Sequence, residues 1–138
     1  ELNYDGIVLA KAGLDRLNLS FEISQVFDCN VMIPACGQGV LALEVVKDSE
    51  VLALIEKFAD KKATQRLLLE RAYLKATEGT CHLPIGAYAD IQEHVTFYAL
   101  YGNEKGDIVK KCVQLTDENQ VEQVQQIAKQ MMEEMHHG

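Results

Sequence analysis

Four cysteines carry the covalent chemistry open to this chain: Cys29, Cys36, Cys81 and Cys112. Cys81 stands apart by its surroundings. It sits in the run Glu78-Gly79-Thr80-Cys81-His82-Leu83-Pro84-Ile85-Gly86-Ala87-Tyr88, shortly after Glu70-Arg71-Ala72-Tyr73-Leu74. Gly79 reads as a left-handed stop for a helix, and Pro84 as a stiff approach to a strand. A thiol between them can be exposed on a short loop, where its chemistry is that of a nucleophile. Two facts weigh the other way. A lone cysteine is more often a small buried hydrophobe, and the negative end of a helix dipole disfavours a thiolate. On chemistry alone both readings stay open. The other polar candidates are weaker. Arg16 by itself reads as a solvated surface arginine, and Gln38 in Gly37-Gln38-Gly39 as a turn residue making local hydrogen bonds. His82 and His94 are isolated loop residues, and His136 and His137 lie at the tail, where metal binding would be adventitious. Cys29 and Cys36 are separated by six residues and no CxxC pair occurs, so no metal site is expected. Cys29 and Cys112 read as packing residues, and Met131, Met132 and Met135 as core. Neither GxGxxG nor a P-loop is present.

The elements that must position these residues follow from periodicity. Residues 5–10 and 40–47 read as apolar strands, and residues 11–18 as a short helix carrying Leu14 and Leu17. Residues 20–36 show no clean period. Ser49 is an N-cap candidate for a helix over 50–58, and Asp60 for a long helix to about Glu78. The long helix carries Ala63, Leu67, Leu68, Leu69, Ala72, Leu74 and Ala76, a set wide enough to predict burial on more than one side. Residues 86–91, 95–102 and 108–115 predict three strands joined by short polar turns, hence an antiparallel meander. Asp117 is an N-cap candidate for a last helix with Val121, Val124, Ile127, Ala128, Met131, Met132 and Met135 on one face. The expected fold is α+β. A three-stranded antiparallel sheet with helices on one face occupies residues 49–138, preceded by a remnant of an α/β domain over residues 1–48.

Composition narrows the function classes. The net charge of −8 argues against a nucleic-acid partner and against a polybasic membrane anchor. No apolar run is long enough to span a bilayer, and no secretory leader opens the chain. With 48% hydrophobic residues a packed core is expected, without disulfide staples, in a reduced and cytoplasmic protein. The chain opens at Glu1 without Met and reaches Ile7-Val8-Leu9-Ala10 almost at once, which reads as a start inside a domain.

Three segments together resemble the porphobilinogen deaminase (hydroxymethylbilane synthase) family, in family order and over nearly the whole chain. The run from Glu70 to Tyr88 is similar to the family's cofactor-attachment motif, with Gly79-Thr80-Cys81 where the family usually has Gly-Gly-Cys. Tyr4-Asp5-Gly6-Ile7-Val8-Leu9-Ala10, continuing through Ala12-Gly13-Leu14 to Arg16-Leu17, resembles the end of its second domain. Pro34-Ala35-Cys36-Gly37-Gln38-Gly39 resembles its return segment to the first domain, with Cys36 for the usual Val. The resemblance implies a transferase of haem and tetrapyrrole biosynthesis that condenses four porphobilinogen molecules into hydroxymethylbilane. In the family, porphobilinogen loses ammonia to give an azafulvene, the pyrrole end of the growing chain attacks it, and water releases the tetrapyrrole. It implies that Cys81 bears a dipyrromethane through a thioether, that Arg16 binds pyrrole carboxylates, and that Gln38 touches substrate. No catalytic residue is expected in this chain, because the acid–base residues belong to segments it lacks. The chain alone is therefore expected to be inactive, with an empty Cys81. The full enzyme is expected to be a monomer whose partners are porphobilinogen and the growing polypyrrole. A second reading is a self-standing α+β binding or regulatory module that dimerises through residues 1–48.

Overall fold

The computed structural model describes residues 4–78 and 83–137. Its helices are α1 (Lys11–Arg16), α2 (Glu50–Ile55), α3 (Lys61–Ala76) and α4 (Gln120–His137). Its strands are β1 (Ile85–Ile91), β2 (Val95–Gly102) and β3 (Ile108–Leu115), and 3₁₀ turns occupy Ser20–Glu22 and Glu56–Phe58. The strands form an antiparallel meander in the order β1-β2-β3, the arrangement expected from the alternation. Its register places Ala89 opposite Phe97 and Phe97 opposite Val113. One face carries Ala87, Ala89, Ile91, Val95, Phe97, Ala99, Tyr101 and Leu115, all buried.

Helices α3 and α4 pack against each other and on that face. Helix α4 contributes Val124, Ile127, Ala128 and Met131 to the core, and Val121, Met132 and Met135 around it, as its sequence stripe predicts. Helix α3 contributes Leu69 and Tyr73. The small residues Ala87, Ala89 and Ala99 leave room above the sheet for the edge-on pair Tyr73–Phe97, with ring centroids 5.7 Å apart. The Tyr73 hydroxyl donates to the Leu100 carbonyl at 3.1 Å, which satisfies its polar end inside the core.

Several local expectations need correction. Residues 5–10 and 40–47 form no strand and have no ladder partner among the described residues. Their apolar side chains lie open, with Ile7 74% and Leu41 87% exposed. An apolar run signals burial, but a strand exists only when a neighbour takes its hydrogen bonds. Helix α1 ends at Arg16, and the 50–58 stretch splits into α2 and a 3₁₀ turn. Asp60 caps α3 as expected, accepting from the backbone N–H of Lys62 at 2.8 Å and of Ala63 at 3.1 Å. Ser49 precedes α2 but makes no side-chain cap; its hydroxyl is buried without a partner. Leu68 and Leu74 point outward, so α3 is buried over a narrower arc than its apolar set suggests. The left-handed stop of α3 falls on Glu78 at φ 49°, while the expected stop Gly79 lies outside the described residues. Asp117 does not cap α4, which begins three residues later after Asn119 at φ 53°. Gln123 reaches back instead, accepting from Thr116 N–H at 3.0 Å and donating to the Glu118 carbonyl at 2.5 Å. Among the described residues no helix is long and apolar enough to cross a membrane.

Candidate functional site

Cys81 and its neighbour His82 lie outside the described residues, but both shoulders of their loop are defined. On the near side, Thr77 is buried and its hydroxyl donates to the Leu74 carbonyl at 3.0 Å, closing the last turn of α3. On the far side, Pro84 leads into β1 and presses against Gly102 of β2. A Cβ on Gly102 would stand 2.5 Å from the proline ring, so the position requires glycine. The described residues on either side of Cys81, Thr77 and Pro84, are thus both anchored.

The second anchored feature is the turn after Pro34. Ala87 N–H donates to the Pro34 carbonyl at 3.0 Å, so this segment takes a place along the outer edge of β1. Gly86 permits the approach, since a Cβ there would meet the Pro34 carbonyl oxygen at 2.8 Å. Gly37 adopts φ 78°, and its N–H donates to Glu70 Oε2 at 2.6 Å. The other carboxylate oxygen of Glu70 accepts from Ala89 N–H at 3.2 Å. Glu70 is 2% exposed and joins the return segment to the sheet through two backbone donors. Burial pushes its carboxyl above the ordinary value, against the lowering effect of those donors and of Arg66. Gln38 sits on this turn, exposed, with its own N–H bound to the Ala35 carbonyl. Cys36 packs against the core, and burial, reinforced by the Glu70 charge, pushes its thiol up to about 11.

Glu70 belongs to a row on α3 whose role sequence reasoning missed. Lys62, Arg66 and Glu70 recur every fourth residue and therefore share a helix face. All three serve the open edge of β1. Lys62 Nζ donates to the Ile91 carbonyl at 3.2 Å, Arg66 Nε donates to the Ala89 carbonyl at 2.9 Å, and Glu70 accepts from Ala89 N–H. The Arg66 guanidinium also lies over the Tyr88 ring, 4.8 Å from its centroid. An unpaired strand edge is thereby covered by side chains. The available signal was the charge row itself, repeating at helical spacing beside apolar positions.

The remaining candidates are dispersed. Arg16 is exposed at the end of α1, which among helices and strands meets only the Ser20–Glu22 turn. It is brought to neither Gln38 nor the shoulders of the Cys81 loop by any hydrogen bond or salt bridge among the described residues. Cys112 is exposed on the outer face of β3, so it is not the packing residue expected; the alternation of β3 points it away from the helices. Cys29 is half-buried, and burial raises its thiol. His94 is exposed in the β1–β2 turn, and His136 is exposed near the end of α4. Among the described residues no cluster of His, Cys, Asp and Glu could hold a metal ion. A shallow open groove at the C-terminal end of α3 is lined by Arg71, Leu74, Lys75 and Glu78.

Residues 64–136 match the family described as "Porphobilinogen deaminase, C-terminal domain". Residues 1–53 match "Porphobilinogen deaminase, dipyromethane cofactor binding domain". Among curated relatives, the porphobilinogen deaminase of Brevibacillus brevis is 41% identical over 109 residues, covering 77% of this chain and 35% of the relative. That of Clostridium beijerinckii is 37% identical over 133 residues, covering 96% of this chain and 46% of the relative. That of Clostridium botulinum (strain Loch Maree / Type A3) is 39% identical over 109 residues, covering 79% of this chain and 38% of the relative. The chain therefore spans less than half the length of the curated relatives it matches. With residues 64–136 matched to the family's C-terminal domain and a relative 37% identical over 96% of the chain, the chain belongs to the porphobilinogen deaminase family.

Proposed function

We propose that this chain supplies the cofactor-carrying part of a hydroxymethylbilane synthase, with residues 49–138 as the C-terminal domain and residues 1–48 as the end of a second domain plus a return segment. The observation that carries the reading is the match of residues 64–136 to the family's C-terminal domain, with the residues flanking Cys81 in sequence, Thr77 and Pro84, both anchored. The donor set around the loop fits a dipyrromethane: a thiol for the thioether, and the cations Arg71 and Lys75 on the last turns of α3 for its carboxylates. When bound, the dipyrromethane supplies the free pyrrole carbon from which a polypyrrole grows. The chain's own residues hold and orient it. Cys81 Sγ makes the covalent bond, Glu70 keeps the return segment and its Gln38 against the sheet, and Arg16 offers a guanidinium to a pyrrole carboxylate. A free thiol in this role suits a reducing, cytoplasmic setting. The 138-residue chain alone is proposed to form no hydroxymethylbilane and to carry Cys81 as a free thiol, since it spans less than half of its relatives.

The test is a hybrid enzyme in which the 133-residue matched stretch of the Clostridium beijerinckii relative is replaced by this chain's. The hybrid should convert porphobilinogen to hydroxymethylbilane, carry a dipyrromethane adduct by intact mass, and lose both with Cys81→Ala. A folded hybrid without turnover, or an equally active Cys81→Ala variant, would refute the assignment. A second reading, dimerisation through residues 1–48, draws on the exposed Ile7, Val8, Leu9, Leu41, Leu43 and Val46. Sedimentation equilibrium decides it: a monomer at high concentration excludes it.

A further inference from the structure

We propose that residues 31–37 form a strap across the outer face of the sheet, and that this strap detaches as one unit while the sheet, α3 and α4 stay folded. It is a conformational device independent of the function proposed above. Its course follows from the strand register. Gly86, Leu100 and Lys110 stand opposite one another on β1, β2 and β3. Side chains alternate along a strand, and the neighbours Ala87, Ala99 and Lys111 face the helices. Ala87 and Ala99 are fully buried, and Lys111 pairs with Glu134 of α4. The row Gly86–Leu100–Lys110 therefore lies on the outer face. At one end of this row, a Cβ on Gly86 would meet the Pro34 carbonyl oxygen at 2.8 Å and the Ile33 carbonyl oxygen at 3.1 Å. At the other end, Lys110 Nζ donates to the Val31 carbonyl at 3.0 Å. Two strand spacings, about 10 Å, separate the ends, and residues 31–34 with the lysine stem bridge them.

Each hold on the strap comes from a different element. Lys110 of β3 holds the Val31 carbonyl, Ala87 N–H of β1 holds the Pro34 carbonyl, and Glu70 of α3 holds Gly37 N–H. Just outside the strap the chain faces solvent: Asn30 on one side and Gln38 and Gly39 on the other are exposed. The core residues Phe97, Val124 and Met131 lie on the opposite side of the sheet, between the strands and the helices. Detaching the strap breaks the three holds and leaves that packing in place. What opposes detachment is modest. Ile33 and Pro34 are only half-buried, and the side chain that the strap lends to the core is the small thiol of Cys36. A segment with few buried contacts opens at a lower free energy than the core beneath it. Gln38 directly follows the strap, so opening carries that side chain away from the sheet.

The test is native-state exchange on the full chain at low, increasing urea. The Ala87 amide and the alkylation of Cys36, read by peptide mass mapping, report on the strap; the Phe97 amide reports on the core. Ala87 and Cys36 should give one opening constant, with a weaker urea dependence than Phe97. Val124→Ala, at a fully buried position of α4, should speed Phe97 exchange about tenfold. It should leave both strap reporters unchanged, because the core is intact whether the strap is open or closed. Lys110→Met should raise both strap reporters by the same factor, about fivefold, the scale of one hydrogen bond. Strap reporters that share the urea slope of Phe97, or that accelerate with it in Val124→Ala, would overturn the proposal. So would a Lys110→Met variant that moves only one strap reporter or neither.

Discussion

Replacing Glu70 by alanine should loosen the hold of the return segment on the sheet and lower the stability of the chain by about 2–4 kcal/mol. The magnitude follows from two backbone donors. Gly37 N–H and Ala89 N–H lie 2.6 and 3.2 Å from the Glu70 oxygens, and the carboxylate is 2% exposed. A buried donor left without a partner costs roughly 1–3 kcal/mol, so two cost about 2–6 kcal/mol. Removing the carboxylate also returns its own dehydration cost, visible in its raised pKa, which places the expectation in the lower half of that range. Glu70→Gln keeps one carbonyl acceptor and should lose about 1–2 kcal/mol. Urea unfolding measures both variants, and amide exchange locates the effect. Gly37 and Ala89 should lose protection first, while the Phe97 and Val113 amides keep theirs until global unfolding.

The same group sets a pH dependence whose sign can be worked out. Its folded pKa lies above the ordinary 4.5, so between the two values the native state holds more protons than the unfolded chain. The associated stability is full below 4.5 and is lost as pH rises through the folded pKa. The advantage of wild type over Glu70→Gln should therefore shrink with rising pH across that window. An Ala variant within about 0.5 kcal/mol of wild type, the scatter of ordinary surface substitutions, would refute the reasoning, as would an advantage over Gln that grows with pH.

Three further outcomes follow from single contacts. Gly86→Ala should push the Ile33–Pro34 segment off β1, because the new methyl meets carbonyl oxygens at 2.8 and 3.1 Å; the cost is about 1–3 kcal/mol, and the Ala87 amide should lose exchange protection. Asp60→Ala should cost about 1 kcal/mol and fray the first turn of α3, read by circular dichroism and urea midpoint, since it removes both N–H contacts of the cap. Cys36 should be alkylated by iodoacetamide far more slowly than exposed Cys112 at pH 8, because a thiol pushed up to about 11 is ionised there to only about one part in a thousand; comparable rates by peptide mass mapping would contradict the burial argument.

What the sequence made legible divides along the range of the interactions. The three strands and α4 are fixed by alternation and stripe within a few residues, and they lie where periodicity places them, to within one residue for the strands. Residues 5–10 and 40–47 carry an equally apolar signal but no strand, because strand pairing needs a partner that local pattern does not specify. Asp60 caps its helix and Ser49 and Asp117 do not. The choice among plausible caps was made by neighbours such as Gln123, whose amide takes over the turn before α4. Cys81 is singled out only through resemblance, since a helix stop and a proline make many loops, and its role as attachment point rests on the proposal above. Glu70 lies in that same run and stood unread. Its partners, Gly37 and Ala89, are 33 and 19 residues away, and no spacing rule reaches so far. The run from Glu70 to Gly86 therefore carries two separable tasks. Glu70 and Gly86 fix the return segment against β1, while Cys81 is the thiol proposed to carry the cofactor. A Glu70 variant should accordingly leave Cys81 as reactive as in wild type while freeing Gly37, and a Cys81 variant should do the reverse.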